Sequence, residues 1–442
     1  MDLEKDFPSV TKYMGSKTDV LDLIEKGMNY FDHKHEWVCD LFAGSATLSG
    51  ALRNKANVIS NDVQKYSEVF ATTYLSTYDW NTMPDVKEIT RKTEERVSKI
   101  LRSNPELANA FRYDREFTLE EFNKTEEEER RLIDRNNWDD FDGYYLFTKD
   151  YSGTYWSYEQ CVWIDSYRAV IDEYKDNKPA FSLLLTCLIY AMAYNSQSTG
   201  HYAQYRVPET DSSKEDILLY RRKCITDFFE RKYYEFRAYL NAPNYYKFIT
   251  TCETDVECLK HIPENTLVYA DPPYCFVHFS RFYHVLETLV KYDYPRVRFK
   301  GRYRTDRYQS EYCVNSKVAD AFSKMFREIR NKNADMVLSY TNSDTNTINF
   351  NELLMECCNA FNPGILDENE LKLSLQRSEG FFEDGKAEEI KLLTKEDVKQ
   401  QLHYEIAMVK KPYNHSRMGR TRLKTIPVTE VVIIAKKLDL ID

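Results

Sequence analysis

Asp271-Pro272-Pro273-Tyr274 puts a carboxylate, two prolines and a phenol ring in four consecutive residues. Proline has no N–H, so the carbonyls of this stretch are free to face a pocket. Asp271 and the Pro272 carbonyl can together accept both hydrogens of one exocyclic amine. That leaves the nitrogen lone pair available to attack an electrophile. Tyr274 adds a flat face on which a base drawn out of its helix can stack. The plainer alternative is a strand that ends in a Pro-rich turn.

Two further acids close apolar runs near the start of the chain. Trp37-Val38-Cys39 runs into Asp40, and Asn57-Val58-Ile59-Ser60-Asn61 runs into Asp62. After Asp40 come Leu41 and Phe42, then the small-residue turn Ala43-Gly44-Ser45-Ala46-Thr47, which opens a helix. Small residues let a ligand approach the backbone and let the helix pack on its strand. The turn has neither the full G-x-G-x-x-G pattern nor a Walker lysine, which argues against a dinucleotide pyrophosphate and against a nucleoside triphosphate. A nucleoside ligand without phosphates remains. Asp62 follows Asp40 by about 20 residues, the separation at which an acid on the next strand reaches ribose hydroxyls. Its alternative use is to cap the helix that follows.

These residues need strand ends to carry them. Leu267-Val268-Tyr269-Ala270 is an apolar run that reads as a buried strand delivering Asp271 to its carboxyl end, the edge where open α/β sheets bind ligands. Lys12-Tyr13-Met14-Gly15-Ser16-Lys17 is a loop with two cations and a ring ahead of a helical pattern from Asp19. A loop at a helix N-terminus suits an anionic group. Tyr246–Cys252 and Met336–Thr341 read as further strands, and Ala407–Val409 with Val431–Ala435 as an antiparallel hairpin.

The order of these pieces (the Gly15 loop, the Asp40–Thr47 turn, Asp62, then Asp-Pro-Pro-Tyr) resembles the Dam-like class of S-adenosylmethionine-dependent adenine-N6 DNA methyltransferases, over roughly residues 8–75 and 250–436. The resemblance implies an α/β fold: a Rossmann-like methyltransferase sheet with a mostly helical target-recognition insertion. It implies catalytic roles for Asp271, Pro272, Pro273 and Tyr274, and a cofactor pocket lined by Lys12, Tyr13, Lys17, Asp40, Phe42, Gly44 and Asp62. Asp255, just after the strand at 246–252, then falls near the cofactor's adenine. Thr341-Asn342 corresponds to a Ser-Asn pair that the family has near its active site. Ala46 and Ser16 stand where the family commonly has glycine.

The implied division is a first catalytic part at 1–81, the insertion at 82–250 and a second catalytic part at 251–442. Within the insertion, the acidic run Glu120–Glu129 reads as a solvated helix face. A single long helix is expected from Asp211 to about Leu240, carrying cations such as Arg221, Lys232 and Arg237 that could track phosphates. The polar loop 195–206 offers Asn195, His201 and Arg206 as side chains able to read base edges. In the last hairpin, the connection with Lys410, Arg417 and Arg420 is the densest basic cluster of the chain and a candidate DNA-backbone contact. Phe279 or Tyr283 could form a lid on a flipped base, whereas His284 reads as structural.

Composition limits the alternatives. The chain has 442 residues, a net charge of -10 and 14% aromatic residues, so nucleic-acid binding must come from a local surface rather than the overall charge. Its ten cysteines form no CxxC pair, which fits reduced thiols in the cytoplasm, and no metal is needed for the proposed chemistry. The charged N-terminus carries no signal-peptide pattern, and no apolar stretch is long enough for a membrane span. The expectation is site-specific methyl transfer from S-adenosyl-L-methionine to a flipped adenine of double-stranded DNA, within restriction-modification or a related defence system and with a restriction or defence-system subunit as a candidate partner. The alternatives are cytosine-N4 or RNA-adenine methylation, or a catalytically silent DNA-binding relative.

Overall fold

Leu267–Ala270 is buried along its whole length, as a strand covered on both faces requires. The computed structural model describes residues 1–13, 15–198, 201–276, 278–342, 346–365, 389–393, 402–416 and 425–438. Its strands are β1 (Trp37–Asp40), β2 (Asn57–Asn61), β3 (Phe248–Thr251), β4 (Leu267–Ala270), β5 (Val297–Arg298), β6 (Tyr303–Arg304), β7 (Asp335–Asn342), β8 (Glu389–Leu393), β9 (Tyr404–Ser416) and β10 (Thr425–Lys437). Eight of them form one sheet in the order β3-β2-β1-β4-β7-β10-β9-β8, while β5 and β6 pair by themselves.

The first five strands of that order run parallel. β10 returns antiparallel beside β7, and β9 and β8 continue antiparallel. The expected α/β sheet with a late hairpin is therefore present, and β8 extends it by a strand that the sequence reading did not anticipate. The chain steps outward from β1 to β2 and β3, then turns back through β4 to β7. The strand order thus reverses between β1 and β4, which is where an open α/β sheet leaves a crevice at its carboxyl edge. The register sets Asp40 opposite Tyr269, so Asp40 and Asp271 end neighbouring strands at that crevice.

Alternation along the strands divides the core in two. Val38, Val58, Tyr269, Val337 and Val432 face one layer, packed with the helices Leu21–Met28 and Lys65–Leu75. Cys39, Ile59, Val268, Met336, Leu338 and Ile433 face the other, packed with Val318–Asn331 and Phe350–Phe361. Gly27 lets the first helix lie close on the sheet: a Cβ there would sit 3.0 Å from Val337 and 3.1 Å from Val432. No helix among the described residues is long and apolar enough to cross a membrane.

Between Lys65–Leu75 and β3 the chain is helical, from Val86–Ser103 to Ile225–Tyr239. One apolar cluster runs from Val38 and Tyr74 on the sheet side into Leu188 and Phe229 of this region, and the Thr73 and Thr186 hydroxyls meet at 2.8 Å. The boundary expected at residue 250 falls inside β3, a strand of the main sheet.

Three expectations for this region are corrected. The long helix expected from Asp211 is two helices, Asp211–Arg221 and Ile225–Tyr239, and Thr210 is the cap of the first, accepting from the Ser213 amide. The acidic run is not wholly a solvated face, because Glu126 and Glu129 are buried. Arg221 does not track phosphate. Its guanidinium donates to Glu126 at 2.9 and 2.6 Å and to the Thr154 carbonyl at 2.8 Å, inside the core. Lys232 is likewise buried, its ammonium 3.9 Å from the Tyr190 ring centre.

Candidate active site

The apolar run of β4 ends where Pro272 and Pro273 stop the ladder, and Asp271 emerges there beside the N-terminal loop. Lys17 Nζ lies 3.1 Å from Asp271 Oδ1, and the same ammonium sits 5.8 Å from the Tyr274 ring centre. Thr341, near the end of β7, donates to Glu430 Oε1 at 2.6 Å. Its hydroxyl oxygen is therefore the acceptor for Tyr274, 2.7 Å away. This chain of hydrogen bonds and the Tyr340 ring, 5.2 Å from that of Tyr274, fix the tyrosine plane. Burial pushes the Asp271 carboxyl up to about 6 against the opposing effect of Lys17.

The β1 and β2 ends build the adjoining part. Asp40 Oδ2 accepts from the Ser49 amide at 3.1 Å and the Ser49 hydroxyl at 2.7 Å, which ties the strand end to the helix Thr47–Ala51. Asp62 accepts from the Gly44 amide through one oxygen and from the Gln64 amide through the other, both at 2.9 Å. The turn thus holds the acid, and the acid holds the turn. Burial raises Asp40 to about 7 and Asp62 to about 6, although these amide and hydroxyl donors pull each down.

Gly44 has φ +52, and a Cβ there would lie 3.2 Å from the Tyr13 hydroxyl. Tyr13 cannot easily withdraw, since its ring stacks on Tyr283 at 4.3 Å and its hydroxyl meets that of Tyr66 at 3.1 Å. Ala46, where a glycine would be free, adopts φ 55 at a cost of about 1 kcal/mol.

These pieces enclose a cavity of about 340 Å3 that reaches from Asp62 to Asp271 and Tyr274. Tyr13, Lys17, Asp40, Phe42, Gly44, Asp62, Asp255, Asp271, Pro272, Pro273 and Tyr274 all line it. Asp255, expected near the cofactor's adenine, accepts from the Tyr312 hydroxyl at 2.5 Å, and the Tyr312 ring meets Phe42 edge-on at 5.5 Å.

The charge of the lining is informative. Asp40, Asp62, Glu253, Asp255 and Asp271 line the cavity with Lys17, the one lysine or arginine among the described lining residues, and Lys17 is already paired with Asp271. Such a wall repels phosphates and suits a ligand carrying positive charge and hydroxyls. The donor set and the narrow cradle at Gly44 fit a nucleoside-type cofactor with a cationic centre.

Several expected site residues lie elsewhere. Lys12 is not among the lining residues; its ammonium packs 4.4 Å from the Tyr194 ring centre on the insertion. Asn195 is buried and donates to the Ala191 carbonyl of its own helix at 2.7 Å, so it is not presented to a groove. His201 stacks on Phe282 at 4.3 Å, and burial lowers its basicity. Arg206 is paired with Asp216 at 2.6 Å. Lys410 is not in the hairpin connection: it is a buried residue of β9 opposite Val431. Arg417 and Arg420 lie outside the described residues. Of the two lid candidates, Phe279 lines the cavity, whereas Tyr283 is buried beneath Tyr13. His284 is buried with Nε2 2.9 Å from the Tyr202 carbonyl and is not among the residues lining this cavity.

Sequence reasoning missed Glu253, His278, Tyr308 and Ser310 on the lining and Glu430 behind Thr341. Glu253 carries a signal of the kind that singled out Asp62, an acid just beyond a strand. The loop residues carry none, because their approach depends on how 305–313 folds over the crevice.

The profile of the D12 class N6 adenine-specific DNA methyltransferase family matches residues 13–345. Modification methylase LlaI of Lactococcus lactis subsp. lactis is 24% identical over 349 residues, covering 75% of this chain and 46% of the relative. Type II methyltransferase M.FokI of Planomicrobium okeanokoites is 23% identical, covering 72% and 42%. Modification methylase StsI of Streptococcus sanguinis is 22% identical, covering 75% and 44%. The chain thus spans under half the length of the curated relatives it matches.

Proposed function

The chain belongs to the D12 class of N6 adenine-specific DNA methyltransferases, and from that premise we propose that it methylates the N6 amine of an adenine flipped out of double-stranded DNA, with S-adenosyl-L-methionine as donor. One observation carries the reading. Asp62 and Asp271, at the carboxyl ends of strands on opposite sides of β1, line a single cavity.

Asp62 and the Gly44 turn would hold the ribose end of the donor, Phe42 and Tyr312 offer aromatic faces for its adenine, and the acidic lining tolerates its sulfonium and amino groups. When bound, the donor supplies an electrophilic methyl group on a good leaving centre. The protein's own contribution is positional. Asp271 and the Pro272 carbonyl accept the two amine hydrogens of the target base and aim its lone pair. Tyr274, fixed through Thr341 and Glu430, provides the face on which the base stacks. Lys17 must yield Asp271 Oδ1, or share it, when the amine arrives. The proton lost by the methylated amine passes to solvent, directly or by way of Asp271, and no protein nucleophile takes part.

The relatives named modification methylases support a place in restriction-modification or a related defence system, with DNA as substrate. The test is to incubate purified protein with labelled S-adenosylmethionine and mixed-sequence duplex DNA, then digest the DNA to nucleosides. Label in N6-methyldeoxyadenosine is expected. Label in N4-methyldeoxycytidine, or in RNA alone, would replace the proposed substrate. Asp271→Ala should lower turnover by at least 100-fold and leave donor affinity within a few-fold of wild type.

A further inference from the structure

At the edge of the sheet away from the cavity, three potential ligands converge from two distant parts of the chain. Asp335 opens β7. Its Oδ2 lies 2.7 Å from His35 Nε2 and 3.0 Å from His33 Nε2. The ligand atoms of the three residues lie within 4.8 Å of one another. His33 and His35 occupy the turn that leads into β1, which starts at the same edge as β7.

We propose that His33, His35 and Asp335 form a zinc site. Two imidazoles and a carboxylate are a donor set that suits Zn2+, for which bonds of about 2.0–2.1 Å are usual. Tetrahedral geometry then needs donors about 3.3 Å apart, a few tenths of an ångström beyond the separations from Asp335. The donors are already supported from behind. Asp335 Oδ1 accepts from the Lys437 amide at 2.6 Å, which fixes the carboxylate plane. Phe31 packs edge-on against both imidazoles, at 5.2 and 6.3 Å.

The side chains of His35 and Asp335 are each 3% exposed, whereas that of His33 is 51% exposed. Solvent therefore reaches the ion from the His33 side, and water completes the fourth position. Lys436, the nearby cation on β10, is engaged by Asp32 at 2.6 Å. The site would clamp the turn before β1 to the start of β7 and the end of β10. It shares no residue with the cavity, so its role is structural and independent of the proposed methyl transfer.

The test uses the whole chain stripped with EDTA and titrated with Zn2+ against a chromophoric chelator, with Co2+ as a spectroscopic probe. One equivalent should bind in competition with the chelator, more weakly at low pH as the histidines are protonated. Co2+ should give a d–d spectrum without a thiolate charge-transfer band, and Zn2+ should raise the melting temperature. His33→Ala, at the exposed ligand, should fold as wild type, weaken Zn2+ by at least tenfold and abolish the thermal shift. Asp335→Asn should do the same where it folds. Absence of binding, binding unchanged in His33→Ala, or a thiolate band from the cysteines would overturn the proposal.

Discussion

Lys17 and Asp271 form an ion pair at the cavity wall, Nζ to Oδ1 at 3.1 Å, with side chains only 11% and 18% exposed. The acid that the proposed chemistry needs ionised is thus held by a cation from a loop more than 250 residues away in sequence. Burial raises the Asp271 carboxyl and Lys17 opposes that rise, leaving it at about 6. Activity should fall below pH 6 as Asp271 takes a proton. In Lys17→Met the opposing charge is gone, the carboxyl rises further, and the acid limb of kcat/KM should move up by a unit or more. The variant should lose at least twofold at pH 7 and recover toward wild type at pH 9. A pH–rate profile of both proteins checks this, and an unshifted limb would remove Lys17 from the electrostatics of Asp271.

Gly44→Ala tests the cradle. The residue must keep φ +52 and place its Cβ 3.2 Å from a Tyr13 hydroxyl that is locked by Tyr66 and Tyr283. Backbone strain of about 1 kcal/mol adds to the steric conflict. Affinity for S-adenosylmethionine, measured by calorimetry, should fall at least tenfold, while the folded state persists in circular dichroism.

Removing one partner of the Arg221–Glu126 pair should be strongly destabilising. Both side chains are fully buried, and Glu129 lies close by. Arg221→Met takes away the cation that donates to Glu126 and leaves it only Arg130, at 3.6 Å, and breaking such a buried pair costs about 3–5 kcal/mol. Both glutamates have raised proton affinity in the fold, Glu129 to about 8. Their buried neutral forms are favoured at low pH and their ionisation is penalised as pH rises. The defect should therefore grow from pH 5 to pH 8 in denaturant titrations. A pH-independent loss would show that packing rather than charge carries the effect.

The basic connection of the last hairpin is tested through salt. Arg417→Gln and Arg420→Gln should each lower the magnitude of the log Kd against log salt slope by about 0.9 for duplex DNA, with similar effects on unrelated sequences. Fluorescence anisotropy across a salt series reads this directly. An unchanged slope would place the DNA backbone elsewhere.

What the sequence by itself determined is the framework of the candidate site. An apolar run ending in an acid is a local signal, since four buried residues make a strand and the next residue must stand at its end. Asp40, Asp62 and Asp271 could therefore be read as strand-end acids, and all three line one cavity. The close approach at Gly44 was legible from the small-residue turn between strand and helix, whereas its left-handed backbone was not.

Only the tertiary structure decided which charges are spent internally. Arg221 and Glu126 stand 95 residues apart, and each alone reads as a solvated helical charge. Nothing periodic announces their meeting, because charge pattern reports a helix face but not what covers it. Lys12 and Lys17 share one loop, yet one packs on Tyr194 and the other reaches Asp271. Lys410 looked like part of a basic loop until the β9–β10 register carried the hairpin beyond it. His33, His35 and Asp335 met through the shared edge where β1 and β7 begin. Strand order and register bring such residues together, and these depend on contacts between segments that no local spacing encodes.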